Sequence, residues 1–246
     1  RALVGALDAG GVDTSLIVTV EGYRTPTKVR ILGGGPSSLK HQVARYDIED
    51  ELGGDGAWRT HLADNLRQAA MDSAAVAISD YGYGCVQPEA IESVLRDRSQ
   101  WLCLDSRYRI GSFAGVSGAT PNLEELEMYC GRRLGSDDEV AAGAESLRVA
   151  LDARFVLATR GNQGMTIVEA GRPAVHLPVF GTDEVADVTG AGDTVLAVLT
   201  AALAAGADIE EAARLANMAA GLVVMKLGTA TIAPDELRAA VLTAAS

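Results

Sequence analysis

The stretch Asp187-Val188-Thr189-Gly190-Ala191-Gly192-Asp193-Thr194 joins a polar loop to an apolar helical run, Val195 to Ala205. Its two glycines flank an alanine, so the backbone can turn tightly and approach a ligand without interference from a Cβ. The first turn of a helix has unpaired N–H groups and the positive end of the helix dipole, which together attract an anion such as phosphate. Asp193 lies in that turn, and a carboxylate beside a phosphate site indicates phosphoryl transfer. The simpler interpretation, an acidic residue that caps a helix after a Gly-rich loop, explains the same residues equally well.

The composition is that of a globular protein with one large domain, or one domain with a small appendage. The chain has 246 residues, of which 48% are hydrophobic and 22% are charged. A chain of this length buries roughly three quarters of its unfolded surface without help from disulfides. The net charge of −12 argues against a surface for nucleic acid or for an anionic membrane. Phosphate binding therefore has to be local, through backbone N–H groups and a few placed cations.

The cysteines and histidines follow no metal-binding spacing. Cys85, Cys103 and Cys130 are far apart, and the three histidines are scattered. Two of the cysteines lie in or beside apolar runs, which predicts buried free thiols and a reducing, cytoplasmic location, and we expect no structural zinc. We therefore expect no signal peptide, and we find no uninterrupted apolar run of membrane-spanning length in this sequence.

The chain changes pattern near Trp58. Before it, the sequence predicts a β-rich segment, residues 12–50, that forms a lid or a dimerisation flap. Its three predicted strands are Ser15 to Val20, Thr27 to Leu32 and Gln42 to Ile48. Lys28 and Arg30 lie on one face of the second of these strands, where they form a charged surface or clamp a phosphate.

From Trp58 to the end, short apolar strands alternate with helices, which predicts a mainly parallel sheet with helices on both faces. Predicted helices include Leu123 to Cys130, Asp137 to Leu151 and Pro234 to Ala244, and the strands near Met165 and Ala174 look antiparallel. Ligands bind at the carboxyl ends of the strands in such sheets. Four segments follow strand ends: Asp80-Tyr81, Asp105-Ser106-Arg107, Thr120-Pro121-Asn122 and Thr159-Arg160-Gly161.

Each of these segments also has a purely structural interpretation. Asp80 either holds sugar hydroxyls or ends its strand as an Asx turn. Arg107 either binds a phosphate or is solvated. Asn122 and Glu125 form a capping box, or they reach a Mg²⁺–phosphate cluster through water. The loop from Thr159 to Gly164 either binds nucleotide phosphates or is a hairpin loop that uses glycine for positive φ.

The order of the motifs resembles the ribokinase-like (PfkB) family of sugar kinases. The motifs are Thr120-Pro121-Asn122-xx-Glu125, Thr159-Arg160-Gly161-xx-Gly164, Asp187 to Thr194, Ala216-Asn217 and Lys226-Leu227-Gly228-Thr229. Within that family the chain is similar to the kinases of D-glycero-β-D-manno-heptose 7-phosphate. That similarity lies in Thr25 to Arg30, Gln42 to Asp47, Ser79-Asp80-Tyr81-xx-Gly84 and Lys226 to Thr231. The resemblance implies a three-layer α/β/α sandwich with a small β lid, in one kinase domain over residues 1–246.

The resemblance also implies a role for each matching residue. Asp193 is the expected catalytic base, and Gly190, Ala191 and Gly192 form the anion hole over the moving phosphoryl group. The expected ATP-site residues are Asn122, Thr159, Arg160, Gly161, Gly164 and Asn217. The candidate substrate-binding residues are Lys28, Arg30, Asp80 and Arg107. Glu125 is expected to bind Mg²⁺ through water. A monovalent cation such as K⁺ is expected to bind at Asp187 and Thr189, together with the peptides near Gly228 and Thr231.

The implied activity is ATP-dependent phosphorylation of heptose 7-phosphate to the 1,7-bisphosphate by a homodimer. The alternatives are a related kinase for ribose, fructose or a nucleoside, and a nucleotide-binding module without activity. The last alternative arises because family members begin with a strand carrying a sugar-binding aspartate, which has no match here. The N-terminal strands are therefore expected to be missing.

Overall fold

The computed structural model describes residues 2–34, 41–50, 52–53, 56–92, 94, 100–181 and 187–244. The chain divides into two compact units, one formed by Arg1–Asn65 with Tyr83–Cys85 and one by Leu66–Gly82 with Val86–Ser246. Within the described ranges, none of the helices has the length and apolar character that crossing a membrane requires. The prediction of a single domain with a β-rich lid stays a prediction.

The first unit contains a helix and a two-stranded antiparallel sheet. Its elements are α1 (Ala2–Ala9), β1 (Thr27–Gly33), β2 (His41–Ile48) and the first part of α2 (Ala57–Met71), a helix that continues into the second unit. Thr27 pairs with Ile48, and a bulge interrupts the register between Ile31 and Leu32. Both predicted strands of this sheet are confirmed.

The predicted strand from Ser15 to Val20 is wrong, because the chain there has turns and irregular backbone. The Ser15 N–H donates to the Asp13 carboxylate at 2.9 Å, and the Ile17 N–H donates to the Thr14 carbonyl at 3.1 Å. Local turn bonds of this kind compete with a strand ladder for the same backbone groups.

The second unit is built on a six-stranded sheet. Its strands are β3 (Ala75–Asp80), β4 (Trp101–Ser106), β5 (Gly118–Ala119), β6 (Phe155–Thr159), β7 (Met165–Glu169) and β8 (Val175–Leu177). The strands lie in chain order, parallel from β3 to β6 and antiparallel from β6 to β8. The mainly parallel sheet and the antiparallel final strands are both confirmed.

The described helices of this unit are α3 (Pro88–Glu92), α4 (Leu123–Cys130), α5 (Asp137–Leu151), α6 (Ala191–Ala204), α7 (Ile209–Val224) and α8 (Pro234–Ala244). Short 3₁₀ turns lie at Ile110–Ser112 and Gly161–Gln163. Helices α4, α5 and α8 have the predicted bounds. Helix α5 packs on β6 and β7, whereas α6 packs on β3, β4 and α7.

Two apolar clusters cover the two faces of the sheet. Leu102 and Leu104 of β4 pack in one cluster with residues of α4 and α5. Cys103, between them, packs in the other cluster with residues of α6 and α7. This alternation is the two-residue period of a strand buried on both faces, so the expected three-layer α/β/α arrangement is confirmed. All three cysteines are free thiols, of which Cys103 is buried, Cys130 is half-buried and Cys85 is exposed.

Candidate active site

The predicted strand-end segments of the second unit meet at one edge of the sheet. Asp105 at the end of β4 pairs with Ser79 of β3, next to Asp80. Thr159 at the end of β6 forms a bridge with Asn122, and its N–H donates to the Pro121 carbonyl at 2.9 Å. Parallel strands end at the same edge, which explains why residues far apart in sequence converge here.

Helix α6 begins at this edge without a side-chain cap. Gly190 is its N-cap, with a left-handed φ of 84°, and the Thr194 N–H donates to the Gly190 carbonyl at 3.0 Å. The N–H groups of Gly192 and Asp193 precede the first bond inside the helix, so they face out of its end. The Ala191 N–H makes only a long bond, 3.3 Å, to the Val188 carbonyl. This geometry suits the predicted anion hole.

The Asp193 carboxylate is bound by residues at the end of β3. The Tyr81 hydroxyl donates to it, at 2.9 Å from Oδ2 and 3.1 Å from Oδ1. The Ser79 hydroxyl lies 3.4 Å from Oδ1. Burial, followed by the Asp193 charge, raises the pKa of Tyr81, which keeps this hydroxyl a donor. The sequence singled out Tyr81 only as part of a motif, since nothing local links it to Asp193.

Asp105 is a second site residue that the sequence placed only within a strand-end segment. Burial raises its pKa to about 7, and the charges of Glu125, Asp193 and Asp80 add to that effect. A Cβ added to Gly192 would lie 3.7 Å from Asp105 Oδ2. The available signal was a carboxylate directly after a buried strand. The site is therefore crowded with acidic groups and suited to a cationic partner.

The start of α4 is a capping box, which confirms that interpretation of the sequence. The Glu125 N–H donates to Asn122 Oδ1, and the Asn122 N–H donates to Glu125 Oε2, both at 2.9 Å. Burial raises the pKa of Glu125 despite these bonds and the nearby Arg107 charge. The binding of ATP by Asn122 and of hydrated Mg²⁺ by Glu125 stays a prediction.

The donor chemistry fits a magnesium ion that arrives with a nucleotide. Among the described residues, no group of three or more His, Cys, Asp or Glu side chains could hold a metal ion. Mg²⁺ is usually bound by one or two carboxylates together with water and substrate phosphates. Asp105 and Glu125 supply half-buried carboxyl groups whose charges interact at this edge.

The segments predicted to bind a monovalent cation are neighbours in the structure. The Thr189 N–H donates to Asp187 Oδ1 at 2.9 Å, and the Asp187 N–H donates to the Val224 carbonyl at 3.1 Å. A Cβ on Gly190 would lie 3.8 Å from Thr229 Cγ2. The loop before α6 therefore lies beside the chain that follows α7, while cation binding itself stays a prediction.

A cavity of about 370 Å³ opens beside the start of α6. Predicted site residues that line it are Thr159, Gly161, Gly164, Ala191, Gly192 and Asn217. Much of the remaining wall is apolar and includes Met165, Val179, Val188, Val195, Ala220 and Val224. An apolar cavity with polar groups at one end is typical of a small-molecule site.

Two predicted ATP-site residues are engaged by the protein itself. The Arg160 side chain is 7% exposed and forms an ion pair with Asp137 at 2.7 Å. The Asn217 amide donates to the Pro178 carbonyl at 2.7 Å, which fixes the chain after β8. Gly164 has a φ of 80°, and a Cβ there would lie 2.0 Å from the Leu177 carbonyl oxygen. These residues shape the cavity wall, and their contact with a nucleotide stays a prediction.

Asp80 and Arg107, two of the substrate-binding candidates, are placed differently. The Asp80 carboxylate is buried and accepts bonds from Ser106 Oγ at 2.8 Å and from the Gly82 N–H at 3.1 Å. It also forms an ion pair with Arg109 at 3.1 Å. The Asx-turn interpretation of Asp80 is therefore confirmed, and its oxygens already have partners. Arg107 is exposed and lies 5.6 Å from the Tyr108 ring centre, free to reach solvent.

Lys28 and Arg30 belong to strand β1 of the first unit. Lys28 Nζ lies 3.1 Å from Asp47 Oδ2 and 3.0 Å from the Tyr83 hydroxyl, within that unit. Arg30 pairs with Arg45 across the two-stranded sheet. The binding of substrate by these two cations stays a prediction.

Comparisons with known proteins agree with this geometry. Residues 94–236 match the model of the pfkB family carbohydrate kinases. The bifunctional protein HldE of Pseudomonas aeruginosa (strain LESB58) is 38% identical over 242 residues, which are 98% of this chain and 49% of the relative. The chain thus spans about half the length of the curated relatives it matches.

Two solved structures share the fold. Arabidopsis thaliana ribokinase, complexed with ribose and ATP, has a TM-score of 0.65 at 19% identity, over 72% of this chain and 59% of the other. Escherichia coli phosphofructokinase-2, in complex with potassium, has a TM-score of 0.66 at 19% identity, over 82% and 67%. At these identities the likeness establishes the fold alone.

Proposed function

The chain belongs to the pfkB family of carbohydrate kinases, and from that premise we propose that it transfers the γ-phosphoryl group of ATP to a sugar-phosphate hydroxyl. Membership of this family makes it a phosphotransferase with an alcohol group as acceptor. The observation that supports the mechanism best is the uncapped start of α6, which presents N–H groups and Asp193 beside an apolar cavity.

The nucleotide is proposed to lie in the cavity with its phosphates directed at the start of α6. The apolar wall suits a base, and the end lined by Thr159, Gly161 and Gly192 suits phosphates. Backbone N–H groups at a helix start bind phosphate without a net positive charge on the protein, which fits the overall charge of −12. A Mg²⁺ ion bound near Glu125 would neutralise part of the phosphate charge.

Asp193 is the proposed base. The acceptor oxygen attacks the γ-phosphorus, the bond to the β–γ bridging oxygen breaks, ADP leaves with the electron pair, and Asp193 takes the acceptor's proton. Phosphoryl transfer needs positioning and charge stabilisation more than covalent chemistry from the protein. The N–H groups at the start of α6 are fixed dipoles that would stabilise the negative charge of the phosphoryl group in the transition state.

The proposed acceptor is the anomeric hydroxyl of D-glycero-β-D-manno-heptose 7-phosphate. The motif segments shared with heptose kinases support it, as does the identity to a bifunctional HldE protein over almost the whole chain. Arg107 is a candidate for the 7-phosphate because its guanidinium is exposed near the acidic edge. K⁺ binding near Asp187, a homodimer and a cytoplasmic location belong to the same proposal.

A panel of acceptors tests the substrate. Heptose 7-phosphate, ribose, fructose, fructose 6-phosphate and a nucleoside are each offered with MgATP, and ADP release is measured. We expect kcat/KM for heptose 7-phosphate to exceed the others by at least about 100-fold. A preference for another member of the panel refutes the heptose assignment but keeps the kinase.

Substitution of the base tests the mechanism. We expect Asp193→Asn to lower kcat by about 10²–10⁴-fold while the Kd for ATP, measured by calorimetry, stays unchanged. Asp235→Asn, which changes an exposed carboxylate on α8 outside the proposed site, is the matched control. A near-native rate for Asp193→Asn refutes the base assignment. ATP binding with no turnover of any acceptor by the unaltered chain indicates a nucleotide-binding module without activity.

A further inference from the structure

We infer that Tyr81 is a positioning residue whose hydroxyl holds the Asp193 carboxylate away from its own helix and toward the acceptor. The inference rests on the proposed role of Asp193 as base. It concerns a side chain that directly follows β3, distant in sequence from α6, which neither the motif nor the family match assigns to that role.

The contact is centred on the carboxylate. A single hydroxyl lies within hydrogen-bond distance of both Asp193 oxygens, at 2.9 and 3.1 Å, whereas Ser79 Oγ lies at 3.4 Å from one of them. A hydrogen bond to an ionised acceptor is about twice as strong as a neutral one. Tyr81 is thus the stronger of the two side-chain donors that orient this carboxylate.

The acidic residue three positions after the N-cap folds back in other helices of this unit. Glu125 in α4 and Glu211 in α7 each accept the backbone N–H of their own N-cap residue, at 2.9 and 3.1 Å. Glu139 in α5 accepts the Gly135 N–H at 2.9 Å. An acidic residue in this position therefore normally accepts a backbone N–H group at the start of its own helix.

Asp193 occupies the same position in α6, three residues after the N-cap Gly190, and it is held by Tyr81 instead. The N–H groups of the helix start then remain available to phosphate, and the carboxylate remains available to the acceptor hydroxyl. The shorter aspartate side chain is also less able than glutamate to reach back to the N-cap.

The surrounding charges make this restraint necessary. Asp193 shares its edge of the sheet with Asp105 and Glu125, whose charges interact with one another there. Like charges favour conformers in which the carboxylates turn apart. The Tyr81 hydroxyl opposes that motion. The carboxylate has enough lone pairs to accept a second hydrogen bond, from the hydroxyl of the sugar, at the same time.

The test removes the hydroxyl and keeps the ring. We expect Tyr81→Phe to lower kcat by at least about tenfold, the value of one hydrogen bond to a charged group, with the Kd for ATP and the melting temperature unchanged. The assay uses MgATP with heptose 7-phosphate, or with the panel acceptor of highest turnover. Tyr129→Phe is the matched control: it removes a hydroxyl of α4 that lies 3.4 Å from the Ser146 carbonyl of α5. The kcat of this variant should equal that of the parent.

A double-mutant cycle distinguishes action through Asp193 from a general structural effect. In an Asp193→Asn background, measured by single-turnover kinetics, we expect Tyr81→Phe to cause no further loss. A Tyr81→Phe kcat within twofold of the parent, or an equal loss in both backgrounds, overturns the inference while leaving Asp193 as the base. A near-native rate for Asp193→Asn alone refutes the proposed function itself, and the inference with it.

Discussion

Helices α4 and α6 begin at the same edge of the sheet but treat their first turns in opposite ways. At the start of α4, Asn122 and Glu125 satisfy each other's backbone N–H groups in a capping box. At the start of α6, Gly190 offers no side chain, and Asp193 is bound by Tyr81, which directly follows β3. One helix start is closed by its own residues, whereas the other is left open and is organised by a residue distant in sequence.

The two helix starts differ in whether their N–H groups stabilise the helix or remain available to a ligand. A capping box satisfies the helix and leaves few donors for a ligand. The open start of α6 lacks the stabilisation of a side-chain cap, about 1 kcal/mol, and keeps N–H groups available for phosphate. Substitutions at the two starts should therefore change different quantities.

Apart from substitution of the proposed base Asp193, the largest expected effect is at Gly190. We expect Gly190→Ala to lower kcat/KM by about 100-fold, because a φ of 84° strains alanine and the helix start that carries the N–H donors must shift. Steady-state kinetics measures the loss. The control is Gly131→Ala at the end of α4, where φ is 66° and no atom lies within 4 Å of the added Cβ. Similar loss of activity in both variants would contradict a special role for the α6 start.

Asp105 lies between the two helix starts and tests their electrostatic connection. Burial raises the folded-state pKa of Asp105 to about 7, above the ordinary value of 3.8, so this group's contribution to stability falls as the pH rises between these values. The Asp105→Asn variant does not lose stability in this way, because asparagine does not ionise. We expect the difference in unfolding free energy between the variant and the parent to shift in favour of the variant by on the order of 2 kcal/mol from pH 5 to pH 8, in urea titrations with chelator present.

Asp235→Asn serves as the control for this pH dependence, because Asp235 is exposed on α8. Its effect on the free energy of unfolding should be the same at both pH values. A pH-independent effect of Asp105→Asn would contradict a raised pKa of Asp105, whether from burial or from the neighbouring acidic groups.

The smallest expected effect compares two capping boxes. Asn122→Ala and Asp208→Ala remove equivalent caps from α4 and α7. Each should lower the free energy of unfolding by about 1 kcal/mol, measured by urea denaturation. Only Asn122→Ala should also raise KM for MgATP, by about fivefold, if one ligand contact is lost as well. An unchanged KM would limit Asn122 to its structural role.

Local sequence signals predicted much of the fold because they act over a few residues. Asn122 and Glu125 mark the start of α4, and short apolar runs mark the buried strands. The same reasoning failed at Ser15 to Val20, where a β-branched run follows Asp13 and Thr14. Turn bonds from these residues compete with the strand, and no partner strand is present among the described residues to outweigh them.

The sequence by itself determined the α/β class and the family, and it marked out the glycine-rich start of α6. Those properties follow from the order and spacing of residues along the chain. Only the tertiary structure decided which groups surround Asp193. Tyr81, directly after β3 and 112 residues away in sequence, donates a hydrogen bond to it. Asp105, on the neighbouring strand β4, interacts with it through charge. Such contacts depend on strand order and register, which bring distant residues to one edge of the sheet and leave no periodic signal in the sequence.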